Sequence, residues 1–193
     1  MKIHLIHGIH TGAGDTEVRD LIPYLAARGY EVVSPEYGFI FGLETRRINR
    51  VIIGTLLPYI EPGDICVGHS NGCCIAYELM LAGAPMRGAV FINAALNRSI
   101  TRLPHVKWID VYYNAGDQIT EVAGIVQKLI GSPVDQYWGE MGHAGYDGQD
   151  PGIVNIDCGN TPPLPVVSGH SDIFSKLRAA WGPFIAERIR NHG

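Results

Sequence analysis

The chain has 193 residues, of which 46% are hydrophobic and 18% are charged, and its formal net charge is −4. This length and composition predict a single globular domain over residues 1–193, and the negative charge argues against a nucleic-acid-binding protein. No apolar stretch has the length of a signal peptide or a membrane span, so we expect a cytoplasmic location.

Short apolar runs alternate with helix-like patterns along most of the chain. Strands are predicted at residues 3–6, 30–34, 65–67, 88–93, 106–113 and 134–138. Helices are predicted at residues 16–26 with a break near Pro23, at 43–60, 74–81 and 119–130, and at 172–190 with an interruption at residues 182–183. This alternation predicts a three-layer α/β/α fold whose mostly parallel sheet has about six strands. Residues 139–169 are rich in Gly, Pro, Asp and Asn and are predicted to form a long functional loop.

The segment Gly68-His69-Ser70-Asn71-Gly72 follows a buried strand and precedes a helix. Gly-x-Ser-x-Gly in this context is the signature of a nucleophile elbow, where a tight turn exposes the serine hydroxyl. Small residues must flank such a turn because the serine backbone is strained. The turn also directs the backbone amide of Asn71 toward the position of a developing oxyanion, so Ser70 is the predicted nucleophile.

A serine nucleophile needs a histidine base that is oriented by a carboxylate. Asp117 follows a predicted strand directly after a glycine, which makes it the preferred acid over Asp110 and Asp135. Two histidines come after Asp117. We prefer His170, which precedes the predicted terminal helix, and we keep His143 as the alternative base. His69 is predicted to be a packing residue.

The second oxyanion donor is predicted at the end of the first strand, where Gly8 permits a close approach of the loop. The backbone amide of Ile9 is the first choice and that of His10 is the second. Phe39 and Phe41 lie in an apolar loop that forms either a flap on the core or the wall of an acyl pocket. The predicted substrate pocket therefore includes His10, Phe39 and Phe41.

These motifs together resemble the α/β-hydrolase family. The resemblance rests on four points: His7-Gly8 after the first strand, Ser70 in its elbow, Gly116-Asp117 after a later strand, and Gly169-His170 near the end. The order Ser, Asp, His is the order of that family. Compared with the larger family pattern, we expect the two leading strands and a helical cap to be missing, so the chain resembles the small, lidless lipases and cutinase-like esterases. The resemblance implies cleavage of a small acyl substrate through an acyl-enzyme, without a cofactor.

Three other interpretations compete with an esterase. The same triad could act on a thioester, lactone or amide instead of an ester, or the fold could serve as a non-catalytic binding module. His4, His7 and His10 could suggest a metal site, but alternate residues of a strand face opposite sides, so no metal is expected. The four cysteines lie in apolar patterns that are typical of buried thiols, not of disulfides or a zinc site.

Overall fold

A computed structural model describes residues 1–8, 17–37, 45–130 and 138–193, with the side chains of residues 123 and 126–130 left out. Its centre is a six-stranded sheet in the order β2-β1-β3-β4-β5-β6, and every neighbouring pair of strands is parallel. The strands are β1 (Lys2–Ile6), β2 (Glu31–Val33), β3 (Ile65–His69), β4 (Gly88–Ile92), β5 (Trp108–Tyr113) and β6 (Ile153–Asp157). The prediction of a parallel sheet with about six strands is confirmed.

Helices cover both faces of this sheet. They are α1 (Ile22–Ala26), α2 (Thr45–Leu56), α3 (Asn71–Leu81), α4 (Gln118–Ile130), α5 (Met141–Ala144) and α6 (Arg178–Asn191), with 3₁₀ helices at Glu17–Leu21 and Leu57–Tyr59. In the described ranges, no helix combines the length and the apolar character needed to cross a membrane.

Two hydrophobic cores lie on opposite sides of the sheet, and successive strand residues alternate between them. Cys66 and Phe91 pack with α2 and α3 on one side, whereas Val67 and Ile92 pack with α1 and α6 on the other. Strands that are buried on both faces explain the continuous apolar runs in the sequence. All four cysteines are buried free thiols, as the apolar patterns around them predict.

The predicted break near Pro23 is present, because a 3₁₀ helix ends at Leu21 and α1 begins at Ile22. Proline in the first turn of α1 needs no hydrogen-bonding amide, so it is well tolerated there. Gly29 has a φ of 82° and ends the segment.

The position of the sixth strand is a correction to the prediction. The predicted strand at 134–138 falls mostly outside the described residues, and Trp138 makes only an isolated antiparallel bridge with Leu96. The sixth strand is β6, inside the segment that was predicted to be a loop. In this edge strand only Ile153 and Ile156 are buried, so its apolar pattern is too sparse to be recognised from the sequence.

The terminal helix is also corrected. It begins at Arg178 instead of residue 172, and it continues through Gly182 and Pro183 to Asn191 without the predicted interruption. A Cβ atom on Gly182 would lie 2.4 Å from the ring of Tyr24, so the glycine allows close packing against α1. The buried residues Trp181 and Ile185 on either side of the proline hold the helix together, and their burial outweighs the cost of the proline.

Candidate functional site

Polar residues follow three neighbouring strands at the carboxyl edge of the sheet. Ser70 comes directly after β3, Asn93 directly after β4, and Asp117 four residues after the end of β5. In an open parallel sheet this edge is where ligands bind, because the ends of different strands converge there. The fold therefore brings the predicted nucleophile and the predicted acid to the same edge.

Ser70 occupies a strained turn between β3 and α3. Its φ is 55° and its ψ is −122°, a conformation that L-residues rarely adopt. The flanking glycines have no room for a side chain: a Cβ atom would lie 2.8 Å from the backbone of Cys73 at Gly68 and 2.0 Å from Ile6 O at Gly72. This is the steric requirement of a nucleophile elbow, and α3 begins at Asn71 immediately after it.

Gly8 brings the end of β1 against this elbow. A Cβ atom on residue 8 would lie 2.9 Å from Ser70 Cβ and 3.4 Å from Ser70 Oγ. The predicted proximity of the His7-Gly8 segment to the nucleophile is therefore present in the structure. Ile9 and His10, the predicted second oxyanion donors, lie outside the described residues, as do Phe39 and Phe41 of the predicted substrate pocket.

Asp117 and His170 are in direct contact. The Nδ1 atom of His170 lies 2.9 Å from each carboxylate oxygen of Asp117, whose side chain is fully buried. Burial raises the pKa of Asp117, but hydrogen bonds from His170 and Thr120 and the charge of His170 outweigh burial, so the pKa falls below its ordinary value. A contact through Nδ1 leaves Nε2 of His170 as the nitrogen that can accept a proton from a substrate or a nucleophile.

Asp117 is paired with His170, and His143, the alternative base, lies elsewhere on α5. The backbone amide of Gly142 donates to Ala94 O at 2.8 Å, which fixes α5 beside the end of β4. The Nδ1 atom of His143 is buried and has no hydrogen-bond partner within the described residues. No carboxylate of the described residues therefore orients this ring through Nδ1, as Asp117 does for His170.

The backbone carbonyl of His170 is held by residues that sequence reasoning missed or assigned only to packing. Asn93 Nδ2 donates a short hydrogen bond to this oxygen, and His69 Nε2 lies 3.2 Å from it. The other nitrogen of His69 lies 3.1 Å from a carboxylate oxygen of Glu17. A polar residue that directly follows a buried strand, as Asn93 does, is the sequence signal that could have revealed part of this arrangement.

The charge state of Glu17 depends on these neighbours. Burial raises its pKa, but hydrogen bonds from His69 and Ser171 and the nearby imidazoles outweigh burial and bring the pKa to about 2. Burial lowers the pKa of His69, and the Glu17 carboxylate opposes that effect. Glu17 is consequently ionised at neutral pH and accepts a hydrogen bond from His69.

A second unpredicted arrangement supports the first turn of α3. The side-chain amides of Asn49 and Asn71 are both buried and exchange two hydrogen bonds, of 3.2 and 3.0 Å. Trp138 Nε1 also approaches Asn71 Oδ1, at 3.4 Å. The hydrogen bonds with Asn49 fasten Asn71 to α2, and the backbone amide of Asn71 is the predicted oxyanion donor.

A cavity of about 420 Å³ lies between residues 35–37 and α2. Neither the elbow serine nor the Asp117–His170 pair lines it. Tyr37 lines this cavity and also contacts the end of the first strand, because its hydroxyl donates to His7 O at 2.6 Å and its ring stacks on His7.

His4 in β1 and His7, which follows this strand, both contact polar groups of the protein. His4 Nε2 lies 2.9 Å from the buried carboxylate of Asp64, and His7 Nδ1 lies 3.0 Å from Gly8 O. Within the described part of the chain, no group of three or more potential metal ligands is close enough together to hold an ion.

Comparison with known proteins gives a structural match but no sequence match. No protein-family profile and no curated protein matches the chain. Among solved structures, a protein of Xanthomonas campestris assigned to the hydrolases of the alpha/beta superfamily aligns with a TM-score of 0.57 and 17% identity over 98% of each chain. The ydeN gene product of B. subtilis aligns with a TM-score of 0.58 and 14% identity, covering 99% of this chain and 97% of the other.

The esterase domain of a Rhodothermus marinus protein aligns with a TM-score of 0.53 and 16% identity, covering all of this chain (100%) and 88% of the domain. The alignment covers most of each of these structures, and together with the parallel sheet and the position of the elbow it identifies the architecture. The chain has the α/β-hydrolase fold, in a compact form with a six-stranded sheet. Residues 93–107 connect β4 to β5 without a helix, which agrees with the predicted absence of a helical cap there.

Proposed function

We propose that this protein is a serine hydrolase that cleaves carboxylic esters through an acyl-enzyme on Ser70. The observation that carries the proposal is the hydrogen bond between His170 and Asp117. His170 lies next to His69, the residue that precedes the strained Ser70. The rings of His170 and His69 are 4.7 Å apart between centroids. The likeness of the fold to hydrolases and an esterase domain supports the same class of reaction.

The proposed reaction has two steps. Ser70 Oγ attacks the acyl carbon and passes its proton to His170 Nε2, and the departing alcohol takes that proton as the C–O bond breaks. Water then attacks the acyl-enzyme, again giving a proton to His170, which returns it to Ser70 as the carboxylic acid leaves. Asp117 holds the ring and stabilises the imidazolium form of His170. The backbone amide of Asn71, at the start of the 11-residue helix α3, is the proposed oxyanion donor.

The proposal is tested by turnover of p-nitrophenyl acetate and butyrate. Ser70→Ala and His170→Ala should lower kcat by about 10⁴-fold or more, while His143→Ala keeps most of the activity. Ser99→Ala, which removes an exposed hydroxyl, and His105→Ala, which removes a histidine bonded to Ala84 O, are matched controls. Circular dichroism of each variant verifies the fold.

A fluorophosphonate probe followed by mass spectrometry separates the enzyme from a binding module. Labelling of Ser70 in the wild type, and its loss in His170→Ala, supports the hydrolase. A folded wild-type protein that neither reacts with the probe nor turns over an ester would contradict the proposal. Thioester, lactone and amide substrates in the same assay determine which acyl compound the site prefers.

A further inference from the structure

His170 lies in a segment without regular secondary structure. Strand β6 ends at Asp157 and helix α6 begins at Arg178, so neither element fixes the histidine directly. The sequence suggested that the terminal helix would anchor it, but that helix starts eight residues further on. A general base must keep its nitrogen within hydrogen-bond reach of the nucleophile, and a displacement of 1 Å can cost about 100-fold in rate. The position of His170 therefore has to come from side chains that contact it.

Asp117 restrains only the ring of His170, and two other side chains face its main chain. Asn93 Nδ2 donates to the carbonyl oxygen of His170, and the Oδ1 atom of Asn93 accepts from Asn114 Nδ2 at 3.2 Å. His69 Nε2 lies 3.2 Å from the same carbonyl, and the His69 ring packs against the rings of His170 and Phe174. The main chain of His170 is thus bonded from the end of β4 and contacted from the end of β3.

Glu17 contacts two residues around His170, namely His69 and Ser171. Its carboxylate lies 3.1 Å from His69 Nδ1 and accepts a hydrogen bond from Ser171, the residue that follows His170. The side chain of His69 is only 3% exposed, so its ring cannot turn to find other partners in solvent. Among the described residues, Glu17 and His170 are the titratable groups that act on this ring.

The protonation state of His69 determines which of its two ring nitrogens donates a hydrogen bond. Both nitrogens of the ring face acceptors, so a neutral ring satisfies one contact and a protonated ring satisfies both. In the neutral ring the proton belongs on Nδ1, because a carboxylate is a stronger acceptor than a carbonyl. Glu17 then fixes the direction of the ring, and the Nε2 edge of His69 limits how closely the main chain of His170 approaches.

We propose that Glu17 and His69 form a positioning pair that determines where the main chain of His170 lies beside the elbow. This role rests on the proposed function, because it treats His170 as the base. The pair does not touch the reacting atoms in this arrangement. It acts through the backbone of His170, whereas Asp117 acts through the ring.

The test compares Glu17→Ala with Glu17→Gln at pH 7.5. Glutamine keeps an oxygen that accepts from His69 Nδ1, whereas alanine does not. We expect Glu17→Ala to lower kcat for p-nitrophenyl acetate by about 10- to 100-fold with KM nearly unchanged, and Glu17→Gln to stay within about threefold of the wild type. Glu61→Ala, which removes an exposed carboxylate paired with Lys2, is the matched control.

A second readout does not depend on turnover. In protein labelled with ¹⁵N-histidine, the proton on His170 Nδ1 should give a downfield imidazole signal, which is assigned by its loss in His170→Gln. We expect this signal to broaden or disappear in Glu17→Ala and to persist in Glu17→Gln. His69→Leu should resemble Glu17→Ala, and His69→Gln, whose amide can donate to the His170 carbonyl, should retain more of the signal.

The two readouts separate the positioning role from the proposed function. An unchanged signal and unchanged kcat in Glu17→Ala would overturn the positioning role, even if the variant melts at a lower temperature. If the wild type turns over no ester but its His170 signal is lost in Glu17→Ala, the hydrolase proposal fails while the positioning of His170 stands.

Discussion

Gly8 and Ser70 are in such close contact that a Cβ atom on residue 8 would lie 2.9 Å from Ser70 Cβ. Real Cβ atoms avoid that distance, so a larger residue must push β1 away from the elbow or turn the serine. Because the loop after Gly8 is also where the second oxyanion donor is predicted, either movement would disturb both groups at once. Glycine at position 8 is thus tied to the geometry of the proposed nucleophile.

We expect Gly8→Ala to lower kcat/KM for p-nitrophenyl butyrate by about 10- to 100-fold, because a displacement of about 1 Å has that effect on a positioned group. The control is Gly54→Ala in helix α2, where no described atom beyond the helix's own backbone and the adjacent residues lies within 4 Å of the added Cβ. Alanine in a helix interior is favoured over glycine by about 1 kcal/mol, so Gly54→Ala should raise the free energy of unfolding in urea and leave turnover unchanged. Full activity in Gly8→Ala would contradict the close contact.

Asp117→Asn should keep the fold and lower kcat by about 10⁴-fold. Asparagine is nearly the same size as aspartate, but it is uncharged, and it can stabilise the wrong tautomer of His170 by donating to Nδ1. Ester turnover measured beside Asp147→Asn, which changes an exposed aspartate bonded to Ser99, isolates the effect of the position. A loss of less than tenfold in Asp117→Asn would show that another carboxylate orients the base.

The strands and the elbow could be predicted because their signals are local. Apolar runs buried on both faces, such as Ile65–His69, are continuous in the sequence, and the glycines at 68 and 72 follow from steric crowding around one residue. Strand β6 was missed because it lies at the edge of the sheet, where only two of its five residues are buried. Its pairing with β5 depends on contacts across the sheet, which no local pattern encodes.

The contacts around His170 also show how far local sequence patterns can predict a structure. Asp117 and His170 could be proposed from their positions after glycines, and the structure brings them together, although their catalytic role stays a prediction. Glu17 and Asn49 had no comparable signal, because each is a single polar residue whose partner is 52 or 22 positions away in the sequence. Such pairs become visible only when the sheet and the helices have assembled.

The carboxylate of Asp64 should make stability depend on acid pH. It accepts hydrogen bonds from the backbone amides of Lys2 and Glu61 and pairs with His4. Burial raises the pKa of Asp64, but these bonds and the charge of His4 outweigh burial and lower it below the ordinary value of 3.8. A carboxylate with a lowered pKa stabilises the folded state above its ordinary pKa, and this contribution is lost as the pH falls through the lowered pKa.

Asp64→Asn should therefore be less stable than the wild type at pH 7, and its free energy of unfolding should decline less steeply below about pH 4. Urea denaturation at several pH values between 7 and 2.5 measures both effects, and Asp147→Asn again serves as the control for the loss of one carboxylate. Equal slopes for wild type and Asp64→Asn would show that other groups determine the acid sensitivity.

Arg188 and Asp110 provide a test of how the terminal helix is fastened to the sheet. Two hydrogen bonds of 2.9 Å join the guanidinium to the carboxylate, and His192 Nε2 lies 3.3 Å from each of the same carboxylate oxygens. Asp110 was a weaker candidate for the catalytic acid, but this carboxylate is fully buried within β5 and is committed to α6. The pair thus has a structural role at a distance from the Asp117–His170 contact.

Arg188→Met should destabilise the protein by about 3–5 kcal/mol, because it leaves the carboxylate of Asp110 buried without its main partner. Arg190→Met is the matched control: its guanidinium is 61% exposed and pairs with Glu187 on the surface, so its loss should cost less than about 1 kcal/mol. Urea unfolding gives both values.

Replacing both partners, in Asp110→Leu with Arg188→Met, should recover part of the lost stability, since no charge then remains buried. A double variant less stable than Arg188→Met alone would mean that Asp110 is held mainly by His192 and not by the arginine.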